Sequence, residues 1–261
     1  MVFSINPVYI LLSGLLVAIA SGLISSLLVL RRMTLVSDAL SHVALPGIAI
    51  GLLFKFQPLV GGLLFLFAGI FFIWRIESQT KLAAESLTGV AFTTALAFGA
   101  LLVPKTDLLE AFFGNIAKIS PAQIAIQSLL AIIVIIITLR YMDKMVLSAI
   151  APDLAVSIGY PLERLELLFL ILIALTITIG ISFVGILLMS ALLIIPGVTA
   201  RQLARSFKSF VSLSALLASI GLIGGLIISS FTKIEPGITT VLLSSGIFII
   251  SVTFSTGKRA I

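Results

Sequence analysis

Of the 261 residues, 60% are hydrophobic and only 10% are charged, whereas an ordinary soluble domain is about a quarter charged. About half of any folded surface faces water, so this composition excludes a soluble protein and indicates a membrane protein. The chain has no cysteine, which excludes disulfides and thiolate metal sites, and its net charge of +6 is scattered at the ends of apolar segments rather than gathered for nucleic-acid binding.

Apolar segments long enough to cross a bilayer recur along the whole chain. An α-helix rises about 1.5 Å per residue, so about 20 apolar residues span a hydrocarbon core about 30 Å thick. We therefore predict an all-α, polytopic helical membrane protein, with residues 1–261 forming a single transmembrane domain. The spans number eight or nine, because 37–54 and 184–200 are short and each contains a Pro-Gly pair. In chain order, the candidate spans are 8–30, 37–54, 58–75, 86–103, 122–140, 164–181, 184–200, 210–230 and 237–254.

Basic residues are distributed unequally between the two alternating sets of loops. Lys55, Lys105, Lys118 and Lys233 lie in one set, and the other twelve Lys and Arg residues lie in the second set. Cytoplasmic loops carry the excess of basic residues, so the second set is predicted to be cytoplasmic. With nine spans, the N-terminus is then outside and the C-terminus inside. Residues 1–9 lack the positive charge of a secretory signal, so the first span is predicted to be a retained anchor.

A carboxylate and an imidazole share one helix face at the start of the second span. Asp38 lies four residues before His42, the single histidine of the chain, and side chains four apart on a helix are neighbours. This pair suits manganese, iron or zinc, and an ionisable residue within a span normally faces a bundle interior or a water path. Three structural interpretations compete with a cation site: Asp38 or Ser37 caps the helix, Asp38 pairs with Arg31 or Arg32, or His42 is a satisfied packing residue.

Pro-Gly pairs occur at matching places in two spans. Pro46 and Gly47 lie in the second span, and Pro196 and Gly197 lie in the seventh. Proline removes a backbone donor, and freed backbone groups survive in lipid only inside the protein or beside a cavity. We predict that these pairs break their helices and line a transport path. Ordinary proline kinks are the alternative.

Glycines four residues apart in two spans predict close contacts between helices. The pairs are Gly47 with Gly51 and Gly221 with Gly225. They identify packing faces and no particular partner.

The segment 141–163 is the one long cytoplasmic element of the predicted topology. Within it, Pro152 suits the first turn of a short helix and Gly159 suits its end. A short helix on the cytoplasmic face would form a docking surface, and a plain connecting loop is the alternative.

Sequence motifs of soluble enzymes are missing from the chain. Neither a Walker A phosphate loop nor a nucleophile-elbow, zinc-protease or dinucleotide fingerprint occurs. The chain is therefore predicted not to be an enzyme, and any pumping would draw energy from a partner ATPase or an ion gradient.

Three stretches together resemble the permease subunits of bacterial ABC importers for manganese, zinc and iron. They are residues 31–54 (RRMTLVSDALSHVALPGIAIGLLF), 108–124 and 148–207. The resemblance implies a large-helix-number, type II-like permease fold, a homodimer in the bacterial inner membrane, a cytoplasmic ABC ATPase, and an extracytoplasmic solute-binding protein that delivers the metal. No permanently bound cofactor is implied, since the divalent metal ion is the cargo.

The resemblance also assigns roles to individual positions. Asp38 and His42 match the positions that line the central path, where they would form a transient metal site. The ATPase-docking loop of the family matches residues of about 145–163 here. The residues that would contact the ATPase are Ala151, Pro152, Asp153, Leu154, Ala155, Val156, Ser157, Ile158 and Gly159.

Three other functions compete with metal import. A permease for iron chelates needs a wider path and no ligating pair, a lone ion-gradient transporter needs several buried ionisable groups, and an intramembrane metalloprotease needs more ligands in one chain. The sequence does not choose among zinc, manganese and iron. Glu85 and Glu110 are expected to be solvated.

Overall fold

The computed structural model describes residues 7–80, 82, 84–102 and 119–255, and every regular element in these ranges is helical. Six of the ten helices in these ranges begin at a proline or a threonine, and proline is well suited to a first turn. In chain order they are α1 (Pro7–Arg31), α2 (Thr34–Leu53), α3 (Pro58–Thr80), α4 (Ala84–Leu102), α5 (Pro121–Ile150), α6 (Pro152–Ser157), α7 (Leu162–Val184), α8 (Ile186–Leu203), α9 (Phe207–Thr232) and α10 (Pro236–Ser255).

The predicted polytopic helical fold is confirmed. In the described ranges, seven helices are long and apolar enough to cross a membrane, namely α1, α2, α3, α5, α7, α9 and α10. Two shorter apolar stretches, Ser86–Gly99 in α4 and Leu188–Leu203 in α8, correspond to the fourth and seventh predicted spans.

The segment 141–163, predicted to be cytoplasmic, differs from its prediction, because α5 continues to Ile150 and makes residues 141–150 helical. The docking loop predicted at about 145–163 is therefore the end of α5, the short helix α6 and the start of α7. At about 1.5 Å per residue, the 30 residues of α5 exceed a hydrocarbon core about 30 Å thick. The polar residues Arg140, Asp143 and Lys144 consequently lie in a helix that projects beyond the core.

Two groups of helices meet in the interior. Helix α1 packs against α5, α7, α8 and α9, while α2 packs against α3, α4 and α8. The largest fully buried side chains of α1 and α7 include Leu27, Leu28, Phe169, Ile173 and Phe183. Helices α1, α2 and α7 are mostly buried, whereas α3, α5, α9 and α10 present much of their apolar surface outward, as lipid-facing helices do.

Both predicted glycine pairs lie at close helix crossings. A Cβ on Gly51 would lie 2.6 Å from the Cα of Pro58 in α3, and a Cβ on Gly47 would overlap the carbonyl of Gly61. The second pair faces α10, where a Cβ on Gly225 would lie 2.5 Å from the Cα of Thr240. The prediction of close packing is confirmed, and these positions hold α2 against α3 and α9 against α10.

The prediction that the Pro-Gly pairs break their helices is wrong. Helix α2 runs unbroken through Pro46 and α8 runs unbroken through Pro196. Neighbouring helices supply the reason, since Gly47 is pressed against α3 and the Gly197 amide donates to Ser25 Oγ of α1 at 2.8 Å. Pro46, Gly47, Pro196 and Gly197 are all buried in helix contacts.

Candidate functional site

Asp38 and His42 lie side by side on α2. The Nε2 atom of His42 is 4.0 Å from Oδ1 of Asp38. The Asp38 side chain is 44% exposed, whereas that of His42 is 12% exposed. The pair thus forms a half-open site, with the carboxylate toward the opening and the imidazole deeper in the protein.

The turn between α1 and α2 positions this pair. Helix α1 ends where the amide of Met33 donates to the Leu28 carbonyl at 2.9 Å and Arg32 adopts a left-handed backbone. Helix α2 then begins at Thr34, with Met33 as its cap residue and no capping side chain. At 1.5 Å per residue, Asp38 is about 6 Å and His42 about 12 Å into the helix.

The competing interpretations of Asp38 do not fit this geometry. Asp38 follows the first turn of α2, so it does not cap the helix, and Ser37 instead donates to the Thr34 carbonyl. Arg31 is engaged elsewhere, and within the described ranges the ion pair of Asp38 is with His42. The carboxylate therefore keeps its coordinating capacity.

His42 packs against an aromatic ring but lacks a hydrogen-bond partner at its inner nitrogen. Its ring meets the edge of Phe92 in α4, with 5.2 Å between centroids and 68° between planes. Nδ1 is buried and finds no hydrogen-bond acceptor or donor among the residues described. A buried polar atom without a partner costs about 1–3 kcal/mol, and a bound ion can offset that cost. His42 is thus not the satisfied packing residue of the alternative interpretation.

One chain offers too few ligands to enclose a metal ion. In the ranges that the structure describes, no group of three or more His, Cys, Asp or Glu residues could hold a metal. Zinc takes four ligands and manganese or iron commonly six, so Asp38 and His42 form half of a coordination sphere or less. Glu110 lies outside the described residues, and for Glu85 only the helical backbone is described.

The short helix predicted in the cytoplasmic segment is present as α6. It begins at Pro152, and Gly159 ends it with φ +82°. The amide of Gly159 donates to the Val156 carbonyl and that of Tyr160 to the Ala155 carbonyl, both at 2.9 Å, which is a Schellman motif.

Helix α6 turns one small residue inward and several apolar residues outward. Ala155 is fully buried and fixes α6 against the body of the protein, while Leu154 and Val156 of α6 and Ile158 directly after it are each more than half exposed. We name these three residues the α6 patch. An exposed apolar patch of this kind is typical of a protein contact.

Arg31, the last residue of α1, connects α1 with α5 and α7. Its Nη2 donates to the Met145 carbonyl at 3.2 Å and to Ser148 Oγ at 2.8 Å, both in α5. The guanidinium also lies 4.6 Å from the ring centroid of Phe169 in α7. The sequence alone marks Arg31 only as a topogenic charge, because its partners are more than 100 residues away.

Known proteins similar to this chain are membrane components of transport systems. Residues 8–255 match the ABC 3 transport family. The high-affinity zinc uptake system membrane protein ZnuB of Haemophilus influenzae is 30% identical over 247 residues, covering 92% of this chain and 94% of that protein. The manganese transport system membrane protein MntC of Listeria monocytogenes is 28% identical over 249 residues, covering 94% and 89%.

A solved structure extends the likeness to the fold. PsaBC from Streptococcus pneumoniae, in complex with Fab, matches with a TM-score of 0.82 and 26% identity, covering 92% of this chain and 88% of the compared chain. The similarity in sequence and the similarity in fold to these transport proteins thus both extend over nearly the whole chain. This protein is therefore a multi-pass membrane permease that belongs to the ABC 3 transport family.

Proposed function

We propose that this protein is the permease subunit of an ATP-driven importer that carries a divalent transition metal ion across the bacterial cytoplasmic membrane. The main support is the Asp38–His42 pair on α2, in which His42 Nε2 lies 4.0 Å from Asp38 Oδ1. The Asp38 side chain of this pair is partly exposed, so an ion can reach it. The names of the relatives, a zinc uptake protein and a manganese transport protein, support the same class of cargo.

A second copy of the chain would complete the metal site. Two facing α2 helices contribute two carboxylates and two imidazoles, which is enough for one tetrahedral ion or for a larger sphere completed by water. Such a site strips part of the hydration shell on entry. Because it contains no thiolate, it holds zinc, manganese or iron weakly enough to release the ion.

The α6 patch would couple transport to ATP hydrolysis. An ATPase subunit that docks on Leu154, Val156 and Ile158 supplies the hydrolysis for which this chain has no Walker A motif. Movement of α6 would pass directly to the end of α5, which Arg31 ties to the end of α1, the helix that precedes α2. A solute-binding protein delivers the ion on the opposite side, with the N-terminus outside and the C-terminus in the cytoplasm.

Uptake of radioactive zinc and manganese into proteoliposomes that contain permease, ATPase and binding protein tests the proposal. Asp38→Asn and His42→Gln keep the approximate size of each side chain and remove its charge or its ligating nitrogen. We expect each to reduce uptake at least tenfold while the complex assembles normally. Asp143→Asn is the matched control, since this carboxylate is exposed on the projecting end of α5. Uptake by both site variants at the level of Asp143→Asn would refute the metal assignment.

A further inference from the structure

A cavity opens at the basic end of the bundle, and its lining includes neither the Asp38–His42 pair nor any residue of the α6 patch. It has a volume of about 500 Å³ and lies between the ends of α1, α5 and α8 and the start of α9. Most of its wall is apolar, including Val146, Ile150, Phe207 and Phe210, and Arg32 and Arg201 stand at its edge. It therefore combines an apolar wall with two cations.

The two arginines at this edge are not engaged in holding the fold together within the described part of the chain. Both side chains are accessible, and neither makes a hydrogen bond or ion pair with a described residue. The neighbouring Arg31 differs in this respect, because it is bound to Met145 and Ser148. Arg32 and Arg201 are thus free to bind an anion.

The backbone at Arg32 favours glycine rather than arginine. Its φ is +58°, and it occupies the left-handed position of a Schellman motif in which Arg32 donates to the Val29 carbonyl and Met33 to the Leu28 carbonyl. A side chain in this conformation is strained. Lys55 occupies the same position after α2, with φ +56°. Lys233, after α9, also has a left-handed backbone, with φ +61°. Attraction to the helix C-terminus explains a cation at all three places, and Arg32 in addition lines this cavity.

We propose that this cavity binds an anionic phospholipid of the cytoplasmic leaflet. The guanidinium groups of Arg32 and Arg201 would hold the phosphate, for which the planar fork of arginine is well matched. One acyl chain would lie along Val146, Ile150, Phe207 and Phe210. Basic pockets between transmembrane helices on the cytoplasmic side are typical sites for such headgroups.

Two features favour a lipid over another anion. An acyl chain that covers the apolar wall removes apolar surface from water, which is favourable in proportion to the area buried. Free phosphate would leave that wall uncovered. An acidic segment of a docked ATPase fits less well, because no residue of α6 lines this cavity. An adjoining cavity of about 470 Å³ shares Arg32 but contains Glu166, whose carboxylate repels phosphate, so the headgroup belongs on the side of Arg201.

Native mass spectrometry of the full-length permease, titrated in detergent with phosphatidylglycerol, phosphatidylcholine and inorganic phosphate, tests this proposal. We expect phosphatidylglycerol to bind with at least tenfold higher affinity than phosphatidylcholine and inorganic phosphate not to displace it. Arg32→Gly, which suits the left-handed backbone, and Arg201→Gln should each weaken phosphatidylglycerol binding about tenfold. Lys55→Gly is the matched control and should bind like the wild type.

Four results would overturn the proposal. Equal binding of both lipids would mean a nonspecific lipid annulus, and displacement by inorganic phosphate would mean a plain anion site. An equal loss of phosphatidylglycerol affinity in Lys55→Gly would mean that any cation at a helix end contributes to lipid binding, without a specific site at this cavity. Unchanged lipid binding together with loss of the ATPase from Arg32→Gly or Arg201→Gln would assign the cavity to a protein contact.

Discussion

Replacement of Arg31 should uncouple the proposed transport from ATP hydrolysis by the partner ATPase. This side chain connects the end of α5, from which α6 follows directly, with the end of α1, from which α2 and the Asp38–His42 pair follow. Arg31→Ala removes both hydrogen bonds to α5 and the contact with the Phe169 ring. The end of α1 would then keep only apolar packing against α5 and α7 in place of the described contacts of Arg31.

The expected loss of stability follows from these contacts. A hydrogen bond from a charged donor contributes about 1.5–3 kcal/mol, and a cation over an aromatic ring contributes about 1 kcal/mol. Part of this loss is offset, because removing a partly buried charge also removes the free-energy cost of its desolvation. The Nε of Arg31 contributes to that cost, since it is buried without a partner among the described residues. We therefore expect Arg31→Ala to lower the free energy of unfolding by about 2–3 kcal/mol.

Two measurements check this prediction. Unfolding of the permease in mixed detergent micelles gives the free-energy difference, and proteoliposomes give the number of metal ions imported per ATP hydrolysed. We expect the transport ratio of Arg31→Ala to fall several-fold while hydrolysis persists, with Arg31→Lys in between because an ammonium lacks the planar fork. Arg140→Ala, at an exposed position of α5, is the control. Equal stability and equal ratio in Arg31→Ala and Arg140→Ala would refute the reasoning.

Two further substitutions test the packing of α2 and the role of α6. Gly47→Val places a side chain against the Gly61 carbonyl, so we expect folded permease to fall sharply in size-exclusion chromatography, whereas Gly89→Val, which meets no atom within 4 Å, should leave it unchanged. Equal yields of the two variants would contradict the close α2–α3 crossing. Val156→Asp puts a charge in the α6 patch, and we expect the permease to stay folded but to lose its ATPase on co-purification. Retention of the ATPase would remove α6 from the proposed contact.

The sequence predicts most of this fold because the main signal is local. Apolar segments of membrane length specify helices directly, and the relation between Asp38 and His42 requires only one helical turn. The Schellman end of α6 is likewise specified locally, by Pro152 and Gly159.

The errors arise where distant residues decide the structure. Whether α8 breaks at Pro196 depends on Ser25, which lies 172 residues from Gly197 and accepts its amide. The extension of α5 through charged residues is stabilised by Arg31, whose contacts no local pattern reveals. The unequal burial of Asp38 and His42 depends in the same way on packing against α4.

Disulfide cross-linking in native membranes tests most directly whether two copies of α2 face each other across the proposed metal path. The chain has no cysteine, so a single substitution places one thiol in each copy. Asp38→Cys is predicted to give a covalent dimer on mild oxidation, while Ile136→Cys, exposed on α5, is predicted to remain a monomer. A covalent dimer for Ile136→Cys and none for Asp38→Cys would contradict the shared site.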